Sequence, residues 1–165
     1  MRLQRERQHR PVTLVWLDAD EAILLRAEEP AGDGRDEPAV ERVVSQVPPH
    51  RRATGHVHHD PRVRSGGGAD PDDLVERRRE HLVALYLRRV AALVPDEDRV
   101  VVIGPGPLHA RLAHELRLAD VHHRRGRSVE DAPATPLTER QLRARWRTLS
   151  GTVPERQLPA NATAR

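Results

Sequence analysis

Residues 56–68 read HVHHDPRVRSGGG and gather imidazoles, a carboxylate, guanidinium groups and glycines into one short stretch. In an extended chain His56 and His58 project to the same side. Two imidazoles so placed suit a divalent cation, with Asp60 or a distant His122 or His123 as third ligand. His56, His58 and His59 suit a second chemistry as well, because protonated imidazoles contact phosphates and neutral ones stack on bases. A solvated polar loop is the plain alternative. No second ligand pair stands at motif spacing, so no metal site is assigned. Arg62 and Arg64, with Arg51 and Arg52 just upstream, carry planar donor forks that match phosphate oxygens. Gly66, Gly67 and Gly68 either let backbone amides approach a phosphate or serve as a hinge before the next helix.

The helix that follows extends this basic character. On a 3.6-residue period Arg77, His81, Ala84 and Arg88 share one face of DPDDLVERRREHLVALYLRRVAALV, while Val75, Leu82, Val83, Tyr86, Val90 and Leu93 share the opposite one. Arg78, Arg79 and Arg89 flank the basic stripe, and Glu76 and Glu80 partly offset it. Loop and stripe together form the candidate nucleic-acid-binding set. A second turn, GPGPLH, follows a strand and opens a helix, as phosphate loops do. It lacks the Gly-Lys-Ser/Thr ending and the G-x-G-x-x-G spacing, and Pro105 and Pro107 remove two amide donors, so it reads as a structural turn.

Composition bounds what these residues can do. The chain has 165 residues, no Cys and 37% hydrophobic residues, of which few are aromatic. That excludes disulfides, thiolate nucleophiles and Cys-ligated zinc, and it requires a core of Val, Leu, Ile and Ala. All 28 basic residues are Arg, a coding-bias signature, and the net charge is only +3. Any partner inference therefore rests on where charge sits rather than on its total. No apolar run approaches the ~18 residues of a membrane helix, and no secretory leader is evident at the amino terminus. The expectation is a cytoplasmic protein with no membrane partner and no cofactor.

The elements that must position the candidate residues follow from the apolar pattern. Val12–Leu17 and Ala22–Leu25, split by DADE, predict a β-hairpin. AVERVVSQV predicts a third strand, and Pro49–Asp73 a long loop. Asp70 as N-cap and Pro71 at the first turn start the long helix. RVVVIG predicts a central parallel strand, and Leu108, Leu112, Leu116 and Ala119 a second helix. VHH suggests a short edge strand. Thr138 and Gln141 form a capping box ahead of a helix with Leu142, Trp146 and Leu149 on one face. The predicted organisation is a basic arm at 1–10, one α/β domain with a mixed sheet at 11–150, and a tail at 151–165.

Taken in order, VWLDADEAILL, HVHHDPRVRSGGG, ERRREHLVALYLRRVAAL, RVVVIGPGPLHARL and TPLTERQL resemble the middle, Gly-Gly-Gln-bearing domain of archaeal and eukaryotic class I release factors and Pelota-type rescue factors. The resemblance is closer to their small bacterial relatives described as translational machinery proteins. It covers about Val12 to Leu149, and it implies a ribonuclease-H-like fold and a link to the ribosome. In those factors the Gln of Gly-Gly-Gln helps water attack the ester of peptidyl-tRNA. Here Gly66 and Gly67 match, but Gly68 stands in place of the Gln. The water loses a positioning group whose contribution in such sites is on the order of a few kcal/mol.

The expectation is thus a non-catalytic ribosome- or RNA-associated protein of the translation machinery, acting in rescue, hibernation or quality control, with the ribosome, rRNA or tRNA as partner. The alternatives are a peptidyl-tRNA or RNA hydrolase that uses the same loop, and an interaction module that binds no nucleic acid.

Overall fold

A computed structural model of the chain describes residues 11–27, 37–48, 71–96, 99–123 and 126–151. Eight elements follow in the order β1 (Val12–Leu17), β2 (Glu21–Ala27), β3 (Pro38–Val44), α1 (Pro71–Ala92), β4 (Arg99–Gly104), α2 (Leu108–His123), β5 (Ser128–Pro133) and α3 (Glu139–Leu149). The first hairpin closes because the Asp18 side chain accepts from the backbone N–H groups of Asp20 (2.7 Å) and Glu21 (2.9 Å), the local bonding that makes Asp a turn residue. The strands form one mixed sheet in the order β3-β2-β1-β4-β5. β1–β2 and β2–β3 are antiparallel, whereas β1–β4 and β4–β5 are parallel. This is the predicted α/β domain, and the strand order is compatible with the ribonuclease-H-like expectation.

Strand alternation divides the core in two. Val15, Leu17, Leu24, Val100 and Val102 face α1 and α2, where they meet Val83, Tyr86, Leu87, Val90, Leu112 and Leu116. Leu14, Trp16, Ile23, Leu25, Val101 and Ile103 face α3 and meet Leu142 and Trp146. β1 and β4 are covered on both faces, which is why both read as unbroken apolar runs. α3 docks by a hydrogen bond as well as by packing, its Trp146 indole N–H donating to the Val12 carbonyl at 2.8 Å. Its start carries the predicted capping box between Thr138 and Gln141.

Two expectations are corrected. VHH is the last turn of α2, and the edge strand lies farther on at Ser128–Pro133. SVEDAP shows little apolar alternation because one face of this edge strand meets α2 through Val129 and Asp131, and Asp131 is held by Arg117 at 2.6 Å. Val75 is 66% exposed rather than buried. α1 has 22 residues and so extends about 33 Å. Only its carboxyl-terminal half lies over the sheet, and the turns before Leu82 overhang it.

Two polar devices tie the layers together. Arg127, whose side chain is 1% exposed, pairs with Asp120 of α2 and donates to the carbonyls of Val94 (3.4 Å) and Leu116 (3.5 Å). It joins the end of α1, the body of α2 and the entry to β5. On the opposite face Arg42 bridges Glu21 (3.0 Å) and Glu139 (2.6 Å). Arg143 there pairs with Glu139 (2.9 Å) and Glu37 (3.2 Å), and Glu37 also takes Arg147.

At the ends of β1 and β4 a Cβ on Gly104 would stand 2.0 Å from the Leu17 carbonyl oxygen. Gly104→Ala must therefore spread the two central strands. It is expected to cost about 3 kcal/mol, the upper range for overpacking, read as a lower urea midpoint. The second prediction concerns acid. The Arg147 hydrogen bond holds the Glu37 carboxyl below its ordinary value of 4.5, Arg143 and then Arg42 do the same for Glu139, and Arg99 does so for Glu130. Folded values that lie below the unfolded ones stabilise fully above pH 4.5 and lose that contribution as pH falls through the depressed values. Urea midpoints should therefore drop below pH 4.5, and Glu37→Gln/Glu139→Gln should make that drop smaller.

Candidate nucleic-acid interface

The basic loop residues Arg51, Arg52, His56, His58, His59, Arg62, Arg64, Gly66, Gly67 and Gly68, and the N-cap Asp70, lie outside the described residues. The helical half of the candidate set does not. Arg77, His81 and Arg88 are all exposed on α1, on the side opposite Val83, Tyr86, Leu87 and Val90. Ala84, which the helical period places on the same stripe, is half-buried.

The stripe holds four arginines without counter-charge on one helix. Across the sheet, arginines are matched with carboxylates: Arg26 with Glu41, Arg42 with Glu21, Arg99 with Glu130, Arg117 with Asp131 and Arg143 with Glu139. Among the described residues, Arg77, Arg78, Arg88 and Arg89 on α1, and Arg140 and Arg145 on α3, pair with no carboxylate. Arg89 only reaches the Val44 carbonyl, at 3.5 Å. The acidic residues expected to offset the stripe are turned away from it. Glu80 binds Arg111 of α2 at 2.9 Å, and Glu76 approaches Arg79 at 3.9 Å. Cations left unmatched on one helix face hold free donor forks for phosphate.

Beside the stripe a cleft of ≈ 140 Å³ is lined by Gln46, Leu82, Leu85, Tyr86 and Arg89. It is well below the ~300 Å³ at which small-molecule sites begin. Tyr86 is 2% exposed and its hydroxyl has no hydrogen-bond partner. Burial, then the negative charge of Asp18, Glu21 and Asp20, pushes its ionisation upward, so the hydroxyl stays a neutral donor.

A second group escaped sequence reasoning. His109, in the first turn of α2, is 8% exposed, and its Nδ1 lies 3.5 Å from an Asp131 oxygen without forming a hydrogen bond. Asp131 is already engaged by Arg117. No hydroxyl among the described residues bonds to His109, so the pair does not form a Ser-His-Asp arrangement among the described residues. Its only sequence signal was the position of His109 one helical turn before Leu112 and Ala113, on a face that is buried.

Among the described residues no group of three His, Asp or Glu side chains could hold a metal ion. His122 and His123, considered as distant ligands, are exposed at the end of α2. No described helix is long and apolar enough to cross a membrane. No protein-family profile matches the chain, and no curated protein does.

Proposed function

We propose that this protein binds the phosphate backbone of RNA at the ribosome through the outer face of α1, as a non-catalytic, cytoplasmic component of the translation machinery. The observation that carries the reading is the contrast in pairing. Arg77, Arg78 and Arg88 keep exposed guanidinium groups without carboxylate partners, while the arginines around the sheet are neutralised locally. Unmatched cations on one rigid element release counterions from a polyanion, which is the sequence-independent part of RNA binding. The resemblance to release-factor middle domains supplies the ribosome as the site. The basic loop, contiguous in sequence with α1, supplies further cations in Arg62 and Arg64.

Catalysis is not assigned, because Gly68 offers no side chain to position a water where the related factors use Gln. In a stalled-ribosome assay the intact protein is expected to release no nascent chain. Release that Gly67→Ala abolishes would bring the peptidyl-tRNA hydrolase reading forward. For binding, the test is co-sedimentation with ribosomes across a salt series. The intact chain should pellet at low salt and dissociate steeply as salt rises. Arg77→Ala/Arg88→Ala should dissociate at lower salt, with the salt slope reduced by about 2. Equal pelleting by wild type and variant would leave α1 an ordinary solvated face and favour an interaction module.

A further inference from the structure

The outer face of α1 carries the same short unit twice. Leu74, Arg77 and Arg78 are followed by Leu85, Arg88 and Arg89 in the same L-x-x-R-R spacing. The offset is eleven residues, about three turns and ~16 Å along the axis, so the two units lie on one row of the helix. The leucines are unusually open for their type, Leu74 at 54% and Leu85 at 40% exposed. Arg77, Arg78, Arg88 and Arg89 pair with no carboxylate among the described residues. His81 stands between the units on the same face.

We infer that this face selects base-paired RNA over single-stranded RNA, gripping the duplex backbone at two points through the repeated leucine–diarginine units. The inference rests on the phosphate-binding reading and adds the ligand class. The first reason is the fate of the aromatic residues. The chain has two Trp, one Tyr and no Phe, and Trp16 (5% exposed), Trp146 (2%) and Tyr86 (2%) are all core residues. None of the Trp and Tyr rings is therefore exposed to stack an unpaired base, and stacking on such rings is what gives single-strand binders roughly 1–3 kcal/mol per base. A single strand would be held mainly by phosphate contacts, with only imidazole and guanidinium planes to meet its bases.

Charge density and rigidity then favour the duplex. Each phosphate contact releases more counterion from a double strand than from a single one, about 0.9 against 0.7. A helix is a straight rod, and a flexible strand loses conformational entropy when it is drawn along one. A duplex is already rigid and offers phosphates on two backbones. Leu74 and Leu85, each one turn ahead of an arginine pair on the same face, suit the sugar edges of the wide, shallow minor groove of A-form RNA, where recognition is by shape and backbone.

The test measures fluorescence anisotropy of the full chain with two labelled RNAs of equal length, one a hairpin and one of unpaired sequence, across a salt series. The hairpin should bind about tenfold tighter at low salt, and Arg77→Ala/Arg78→Ala and Arg88→Ala/Arg89→Ala should each lower its salt slope by about 2. Arg140→Ala/Arg145→Ala removes the same charge from α3, across the sheet, and should leave binding unchanged. Circular dichroism of each variant establishes that it is folded. Equal affinity for both RNAs would overturn this inference and leave the phosphate reading standing. Absence of binding to either RNA would remove both. A third ligand, vesicles of equimolar phosphatidylserine and phosphatidylcholine, covers the other use of a basic face with exposed leucines. Binding to these that Leu74→Ala/Leu85→Ala abolishes, without hairpin preference, would overturn the RNA assignment in favour of an anionic membrane surface.

Discussion

The parallel pairing of β1 with β4 is the constraint from which the rest of the architecture follows. β1, β2 and β3 run as an antiparallel meander toward one edge, so after β3 the chain must return to the middle of the sheet to lay β4 beside β1. Such a return needs a crossover on one face, and α1 lies on it. α1 is therefore pressed against the sheet along Val83, Tyr86, Leu87 and Val90, with Val94 just beyond its end, and its other side must face outward. The second crossover, from β4 to β5, brings α2 to the same face. α3 alone covers the opposite face, which explains why a single side chain there, Trp146, both fills the core and hydrogen-bonds to β1.

The charge distribution follows from this geometry. Edge strands present unpaired backbone groups to other chains, and charged side chains blunt them. β3 and β5 are the two edges, and both carry ion pairs, Arg26–Glu41 and Arg42–Glu21 on one side and Arg99–Glu130 on the other. Exposed pairs of this kind add little stability individually. They do neutralise the edges and α3's contact with β3, which leaves four unmatched arginines on α1 and two, Arg140 and Arg145, on α3 among the described residues. The function proposed for α1 follows from where charge was left unmatched and not from the modest net charge of the chain.

Much of this was legible in the sequence for physical reasons that name themselves. Val12–Leu17 and Val100–Ile103 are buried on both faces and leave a continuous apolar signal. Thr138 and Gln141 announce a helix start by reciprocal bonding, and the stripe Arg77, His81, Arg88 follows from helical period alone. β5 was not legible, since Glu130, Asp131 and Pro133 are tolerable in an edge strand and mimic a loop. Val75 was misplaced because period assigns a face but says nothing about how far a helix outruns its sheet. Arg127 and His109 were invisible as buried groups. An Arg in RRGR looks like every other Arg, and its burial depends on Asp120 and the carbonyls of Val94 and Leu116, which meet it only in three dimensions.

The overhang of α1 is the remaining feature that packing alone does not explain, since residues 73–81 bury little beyond Arg79. A free helix of that length would be marginal in water, because nucleation is unfavourable and short helices cannot recover it. Here the nucleus is supplied by the half of α1 held against the sheet, and the overhang needs only propagation. Its residues favour that: Leu, Glu and Arg have high helix propensity, Pro71 suits the first turn, and Asp73 complements the dipole at the amino end. The Glu80–Arg111 pair to α2 steadies the overhang from the side away from the basic stripe. A segment stabilised in this way needs no packing contact from its outer side chains, only their helix propensity, so that face is free to carry exposed arginines and leucines.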